Sequence, residues 1–278
     1  MDHWDERHLG DNGMIPVRKN GKWGAIDTKG RVAIPPEWDF ISWVTRRGQA
    51  IVMRDGKFGV IDTSGAFILP LEWDDVTFIT DMADRSCPFS GEVLYSVSRM
   101  KAPVKLSNDY ETHCHEIWNH KCWHGIADYT GAFVIEPVWD SLSFFSEEIV
   151  IVVKHGQAEG GLIKYYGAVE LGNRLVVQPI YRSILPFTNG FAWVQKTHKW
   201  GLMNTAGEFV YKPQWTGVQS IPEQDGYYKA NRYGGWGVLR YDGRLIVDFQ
   251  WDDIRSRGGR LEGKKNKKWE AVPCATEP

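Results

Sequence analysis

The chain has 278 residues, 42% of them hydrophobic, with 33 basic against 35 acidic side chains and a formal charge of −2. That composition supplies enough apolar side chain for a sizeable core, and no overall basic field to draw the chain to nucleic acid or an anionic membrane. The four cysteines, Cys87, Cys114, Cys122 and Cys274, are irregularly spaced, as suits reduced thiols. Residues Met1 to Gly10 are polar and acidic where a secretory signal is basic and then apolar, so the expected location is cytoplasmic.

Residues 1–13 read as a tail. From Met14 onward one pattern recurs: Gly24 to Trp38, Gly59 to Trp73, Gly125 to Trp139, Gly201 to Trp215 and Gly237 to Trp251 are each 14 residues apart. A second glycine, at 30, 65, 131, 207 and 243, follows the first by six residues. Asp27, Asp62, Asp128 and Asn204 stand three residues before that second glycine, which predicts a tight turn whose Asp or Asn caps its own backbone; Arg240 departs. Short β-branched and aromatic runs flank the turns, and Pro35, Pro70, Pro137, Pro179 or Pro213 ends each second strand or confines it to an edge. A third strand precedes each hairpin, at Met14 to Arg18, Gln49 to Arg54, Glu92 to Val97, Glu148 to Lys154, Phe191 to Lys196 and Tyr227 to Asn231.

The fourth unit departs most: Gly161 lacks an aromatic before it, Tyr181 replaces the tryptophan, and the hairpin from Tyr165 to Asn173 is longer. The third holds an insertion at about 99–121, and the seventh stops early at Trp269-Glu270. The expected architecture is an all-β tandem array over 14–272, about six and a half three-stranded antiparallel units, as an open solenoid rather than a closed propeller. Two stacks, divided somewhere within Phe78 to Lys121, are the alternative to a single array, and residues 273–278 form a second tail.

Lys22-Trp23-Gly24, Lys57-Phe58-Gly59, Lys199-Trp200-Gly201 and Trp236-Gly237, with the downstream Pro35 to Asp39, Pro70 to Asp74 and Pro137 to Asp140, resemble the bacterial WG-repeat (KWG repeat) family. The resemblance covers Met14 to about Val272. It implies a protein-binding scaffold and, because similar proteins sit beside bacterial toxins, an immunity or antitoxin role with a toxin as partner.

Ten tryptophans stand in the repeat frame, with Trp23, Trp123, Trp200, Trp236 and Trp269 in its first aromatic position. They read as the glue of the stack; an exposed aromatic ladder for sugars or cell wall is the alternative. Off-frame aromatics are the candidate partner contacts: Trp4, Trp43, Trp118, Phe144, Phe145 and Trp193, with Phe187 nearby. The insertion concentrates His113, Cys114, His115, His120, Cys122 and His124, which read either as a plain contact loop or as ligands of a structural zinc; no CxxC pair is present. A metal-dependent hydrolase built there is a further alternative. The Asp after the second Trp, as in Asp39 and Asp74, reads as a turn cap, and the basic run from Arg255 to Lys268 as edge protection or a site for an acidic partner. With no phosphate loop, GxSxG or HExxH present, the function expected is non-catalytic protein binding, with no cofactor.

Overall fold

The computed structural model describes residues 4–7, 13–79, 94–100, 122–158 and 161–272. Among them the regular elements are 27 strands in seven small antiparallel sheets, and no helix is long and apolar enough to cross a membrane. The first sheet orders β1 (Glu6–Arg7), β2 (Met14–Lys19), β3 (Lys22–Asp27) and β4 (Val32–Trp38). The second orders β5 (Phe40–Ile41), β6 (Gln49–Arg54), β7 (Lys57–Asp62) and β8 (Phe67–Trp73), and the third β9 (Asp75–Phe78), β10 (Leu94–Met100), β11 (Cys122–Asp128) and β12 (Phe133–Trp139). These belong to one compact unit.

A second unit begins at the Ser141/Leu142 boundary, later in the chain than the sequence placed it. Its sheets are β13 (Ser141–Ser146), β14 (Ile149–Ala158), β15 (Gly161–Glu170) and β16 (Arg174–Tyr181); β17 (Ser183–Ile184), β18 (Phe191–Lys196), β19 (Lys199–Asn204) and β20 (Phe209–Trp215); β21 (Gly217–Ile221), β22 (Gln224–Arg232), β23 (Gly235–Arg240) and β24 (Leu245–Trp251); and the three-stranded β25 (Asp253–Arg257), β26 (Arg260–Lys265) and β27 (Lys268–Ala271).

The three strands expected per unit are thus joined by a fourth, drawn from the segment that follows the second aromatic. Within the tail, Glu6 and Arg7 supply it for the first sheet by pairing with Arg18 and Val17. Among the described residues the last sheet has three strands, without the final hairpin strand, in keeping with the loss of the frame at Trp269-Glu270.

The 14-residue step has a steric cause. Trp23 faces Trp38 and Ala25 faces Ile34, so Gly24 alone lies opposite the bulge Pro35-Pro36-Glu37. A Cβ on Gly24 would stand 2.5 Å from the Ile34 carbonyl oxygen; at Gly59, Gly125, Gly167, Gly201 and Gly237 the corresponding distance is 2.6 to 2.7 Å. No side chain fits there.

Register also corrects two frame assignments. In the fourth unit Tyr166 faces Tyr181, so the frame glycine is Gly167 rather than Gly161. Asn173, at φ 70°, takes the left-handed place that the second glycine holds elsewhere. The shift was hidden because β14 and β15 each run 10 residues where β18 and β19 run 6. In the third unit His124, not Trp123, faces Trp139.

At the hairpin turns, Asp27 Oδ1 accepts the Lys29 and Arg31 N–H groups at 2.9 Å. Asp62 Oδ1 accepts Ser64 N–H and Oγ–H at 2.8 and 2.5 Å and Ala66 N–H at 3.1 Å. At the departing turn Asp242 takes over, pairing with Arg240 at 2.5 Å and accepting Arg244 N–H at 3.1 Å.

The core lies between successive sheets of each unit. Ala25, Ile34, Trp38, Ile41, Ala50, Val52 and Ile61 join the first two sheets; Trp193, Leu202, Trp215, Val218, Ala230 and Leu239 join the fifth and sixth. With neighbours on both faces, inner strands such as Ala50-Ile-Val-Met53 are buried throughout instead of alternating. The second aromatic of one sheet also meets the start of the next sheet's last strand edge-on, as in Trp38–Phe67 at 6.2 Å, Trp73–Phe133 at 5.5 Å and Tyr181–Phe209 at 6.5 Å between ring centroids.

Two outcomes follow. Gly59→Ala should lower stability by about 1–3 kcal/mol or more in denaturant titration, because the intruding Cβ meets backbone that cannot yield without moving β8. The Arg31 N–H holds Asp27 below the ordinary carboxylate range, and the Ser64 hydroxyl does the same for Asp62. Groups depressed in the fold stabilise it fully above their unfolded pKa and lose that contribution as pH falls through the folded value, so stability should drop below about pH 4. Asp62→Ala should flatten that acid limb in melts recorded across pH.

Candidate partner-binding surface

Trp43 lies in the segment joining β5 to β6. Its chain neighbours Ser42 and Val44 are buried, at 8% and 3% exposure, which turns the intervening indole outward to 51%. The segment is pinned at both ends: Ser42 N–H donates to the Ile51 carbonyl at 2.9 Å, Ile51 N–H returns to Ser42 Oγ at 2.9 Å, and Thr45 N–H donates to the Gln49 carbonyl at 2.8 Å. Gly48, at φ 75°, closes the turn.

The Trp43 ring stacks on Phe78 at 5.3 Å and 27°, and Phe78 leans on Tyr95 at 5.5 Å. Tyr95 is wholly buried, and its hydroxyl donates to Gln49 Oε1 at 2.7 Å. Gln49 Nε2 donates in turn to the Tyr129 carbonyl at 2.8 Å, and the exposed Arg47 guanidinium covers the Tyr129 ring at 4.2 Å. Burial pushes the Tyr95 hydroxyl pKa up, so it stays a neutral donor. The result is an exposed indole on a segment that also carries the exposed Arg46 and Arg47, supported through Phe78 and Tyr95 by a hydrogen-bonded network. Aromatic and guanidinium groups of this kind anchor protein interfaces, and rigid support reduces the entropy lost on binding.

The other expected contacts divide. Trp4 is half-buried, with Lys19 Nζ 5.6 Å from its ring. Trp193 is 1% exposed and set edge-on to Trp215 at 5.1 Å, so it belongs to the core and not to a contact surface. It occupies the strand position that Ile51 holds in β6, an interior place the glycine–tryptophan frame does not mark. Phe187, at 3% exposure, is core as well. Phe144 and Phe145 lie on β13, their side chains outside the described set, and Trp118, His113, Cys114, His115 and His120 fall outside the described residues.

Of the remaining expected ligands, Cys122 is buried at the start of β11, and His124 fills the frame position opposite Trp139. Among the described residues no group of three or more His, Cys, Asp or Glu side chains is placed to hold a metal ion. Trp43 and Phe78 sit by Tyr95 of β10, and residues 101–121 of the insertion lie outside the described residues.

The frame aromatics do not form an exposed ladder among the described residues. Trp38, Trp73, Tyr181, Trp215 and Trp251 are between 2% and 5% exposed. In the first position, Arg18, Lys229 and Arg255 lie over Trp23, Trp236 and Trp269 at 5.6, 5.0 and 4.0 Å. Sequence reasoning found Trp43 but missed Arg46, Arg47, Phe78 and Tyr129, which acquire their place through pairing between segments far apart in the chain.

A contrast in stability separates the two off-frame tryptophans. Trp193→Ala should cost about 3–5 kcal/mol, while Trp43→Ala, which loses only the Phe78 stack, should cost about 0.5–1.5 kcal/mol in denaturant unfolding.

The model of the family described as WG containing repeat matches residues 11–23, 23–58, 58–81, 125–157, 166–200 and 200–234, well over half of the chain. No curated protein matches its sequence. Among solved structures it is similar to a eukaryotic initiation factor at 8% identity and TM-score 0.41, covering 94% of this chain and 71% of that one. It is similar also to the AfRom2 CNH domain at 9% identity and TM-score 0.29, covering 99% and 94%. An acylaminoacyl peptidase of Pyrococcus horikoshii matches at 11% identity and TM-score 0.31, covering 94% of this chain and 48% of that one. At such scores these likenesses say nothing about what the chain binds.

Proposed function

The chain belongs to the WG-repeat family, and from that premise we propose that it is a non-catalytic scaffold that binds another protein. The observation that carries the reading is Trp43: half-exposed, stacked on Phe78, and followed by the exposed Arg46 and Arg47 on a segment tied down by hydrogen bonds. The Phe78 stack fixes the indole and still leaves half of it in solvent, which offers a partner surface a preorganised anchor.

In its finer form the proposal is an immunity or antitoxin role in the cytoplasm. The partner is a toxin, blocked because its surface is occupied, and no bond-making step is asked of this chain. The toxin setting draws on the company that similar repeats keep.

A photo-reactive phenylalanine analogue placed at Trp43 in the native host tests the reading. It should cross-link one protein species, and Arg47→Glu should remove that cross-link while leaving the melting temperature in place. A cross-link pattern no different from that of the same analogue at exposed Lys29 would sink the proposal.

A further inference from the structure

Five hairpin tips share one geometry. Asn20, Asp55, Thr197, Tyr233 and Asn266 each adopt a left-handed φ between 50° and 57°, at 52°, 53°, 57°, 54° and 51°. Ahead of each tip stands a residue whose N–H donates to the carbonyl two places before the tip: Asp5 to Arg18, Asp39 to Met53, Arg182 to Gln195, Thr216 to Asn231 and Asp252 to Lys264. Where that residue is Asp, its carboxylate accepts the tip N–H, at 2.9 Å for Asp5–Asn20, 2.9 Å for Asp39–Asp55 and 3.1 Å for Asp252–Asn266.

The same carboxylate also takes a lysine. Asp39 Oδ1 lies 2.5 Å from Lys22 Nζ, and Asp74 makes the equivalent pair with Lys57 at 2.5 Å. Beside it, Arg54 pairs with Glu37 at 2.7 Å, and Arg99 with Glu72 at 2.5 Å. Each such tip is therefore a small receptor for carboxylates, filled from within the chain.

In the second unit one receptor has lost its occupants. Lys199 stands where Lys22 and Lys57 stand, but its counterpart is Thr216, whose hydroxyl donates to Asn231 Oδ1 at 2.9 Å. Arg232 stands where Arg54 stands, but the place of Glu37 is taken by Gln214. Arg232 turns instead onto Tyr233, 4.9 Å from the ring, with Nη2 3.3 Å from the hydroxyl. Tyr233 is 91% exposed and holds a left-handed φ that a bulky side chain adopts only at a cost. Asn or Asp would stabilise that tip better, so the ring is not there for the fold.

We propose that the Lys199, Thr216, Arg232 and Tyr233 tip surface binds an acidic polypeptide segment of a partner. One carboxylate takes the vacated place between Lys199 Nζ and the Tyr233 N–H, a second meets Arg232, and the Tyr233 ring covers the aliphatic stem between them. The occupants of the equivalent tips are Asp and Glu side chains, and a formal charge of −2 gives no broad field for a polyanion, so a polypeptide fits better than nucleic acid. This surface uses different residues from the Trp43 patch and stands whether or not that patch binds protein.

Fluorescence anisotropy of a labelled Asp/Glu-rich peptide against the full chain at low salt tests it. Saturable binding is expected, weakened about fivefold or more by Thr216→Asp, which refills the place from within the chain, and by Arg232→Gln. Thr216→Asp should melt no lower than the parent, so a folding defect cannot mimic the effect. Lys22→Gln, whose site is already filled, and Lys29→Gln, on an exposed turn in the first sheet, should both leave binding unchanged. Absence of saturable binding, Thr216→Asp binding as well as the parent, loss of binding in either control, or tighter binding of a single-stranded oligonucleotide or an anionic vesicle would overturn the proposal.

Discussion

The close approach of one strand's bulge to a glycine on its neighbour governs each repeat. Because the Ile34 carbonyl would lie 2.5 Å from any Cβ on Gly24, the strand pair can close only with glycine there. The bulge then sets the register that brings Trp38 opposite Trp23. That placement carries Trp38 into the space between sheets, where Phe67 meets it edge-on and the Arg54 guanidinium covers it at 4.1 Å. It also delivers Asp39 to the tip of the following hairpin. Glycine, tryptophan and aspartate recur together because one steric event positions all three.

What the sequence made legible follows from this. The glycine-to-tryptophan step is fixed at both ends by contacts that tolerate little substitution, so it survives as a countable interval, and the all-β repeat array could be read from it. Strands as short as Phe40–Ile41 and Ser183–Ile184 leave no periodicity to read, so the fourth strand of each sheet was not visible. Tyr166-Gly167 is masked in the sequence because a hairpin of 10-residue strands displaces it from the regular interval, and because Asn173 serves where the other repeats carry glycine.

The candidate surfaces were legible only in part, for a related reason. Trp43 and Trp193 look alike in the sequence, since neither falls at a frame tryptophan. One stands between two buried residues on a linking segment and is turned out; the other takes an interior strand position and is turned in. Arg47 and Tyr129 are 82 positions apart in the numbering and become neighbours only through sheet stacking. At the hairpin tips the informative residues are absences from the frame: Thr216 and Gln214 are unremarkable until Asp39 and Glu37 show what those places hold elsewhere. Substitutions that keep the frame serve stability, and those that break it without damaging the fold are where recognition by the protein is to be sought.

Hydrogen–deuterium exchange on the chain, alone and with the protein cross-linked through position 43, tests the central claim most directly. The account predicts new protection concentrated at the linking segment from Ser42 to Gly48 and around Phe78, with the buried inner strands already slow and unchanged. Protection spread over the inner strands, with Ser42 to Gly48 exchanging as before, would contradict it.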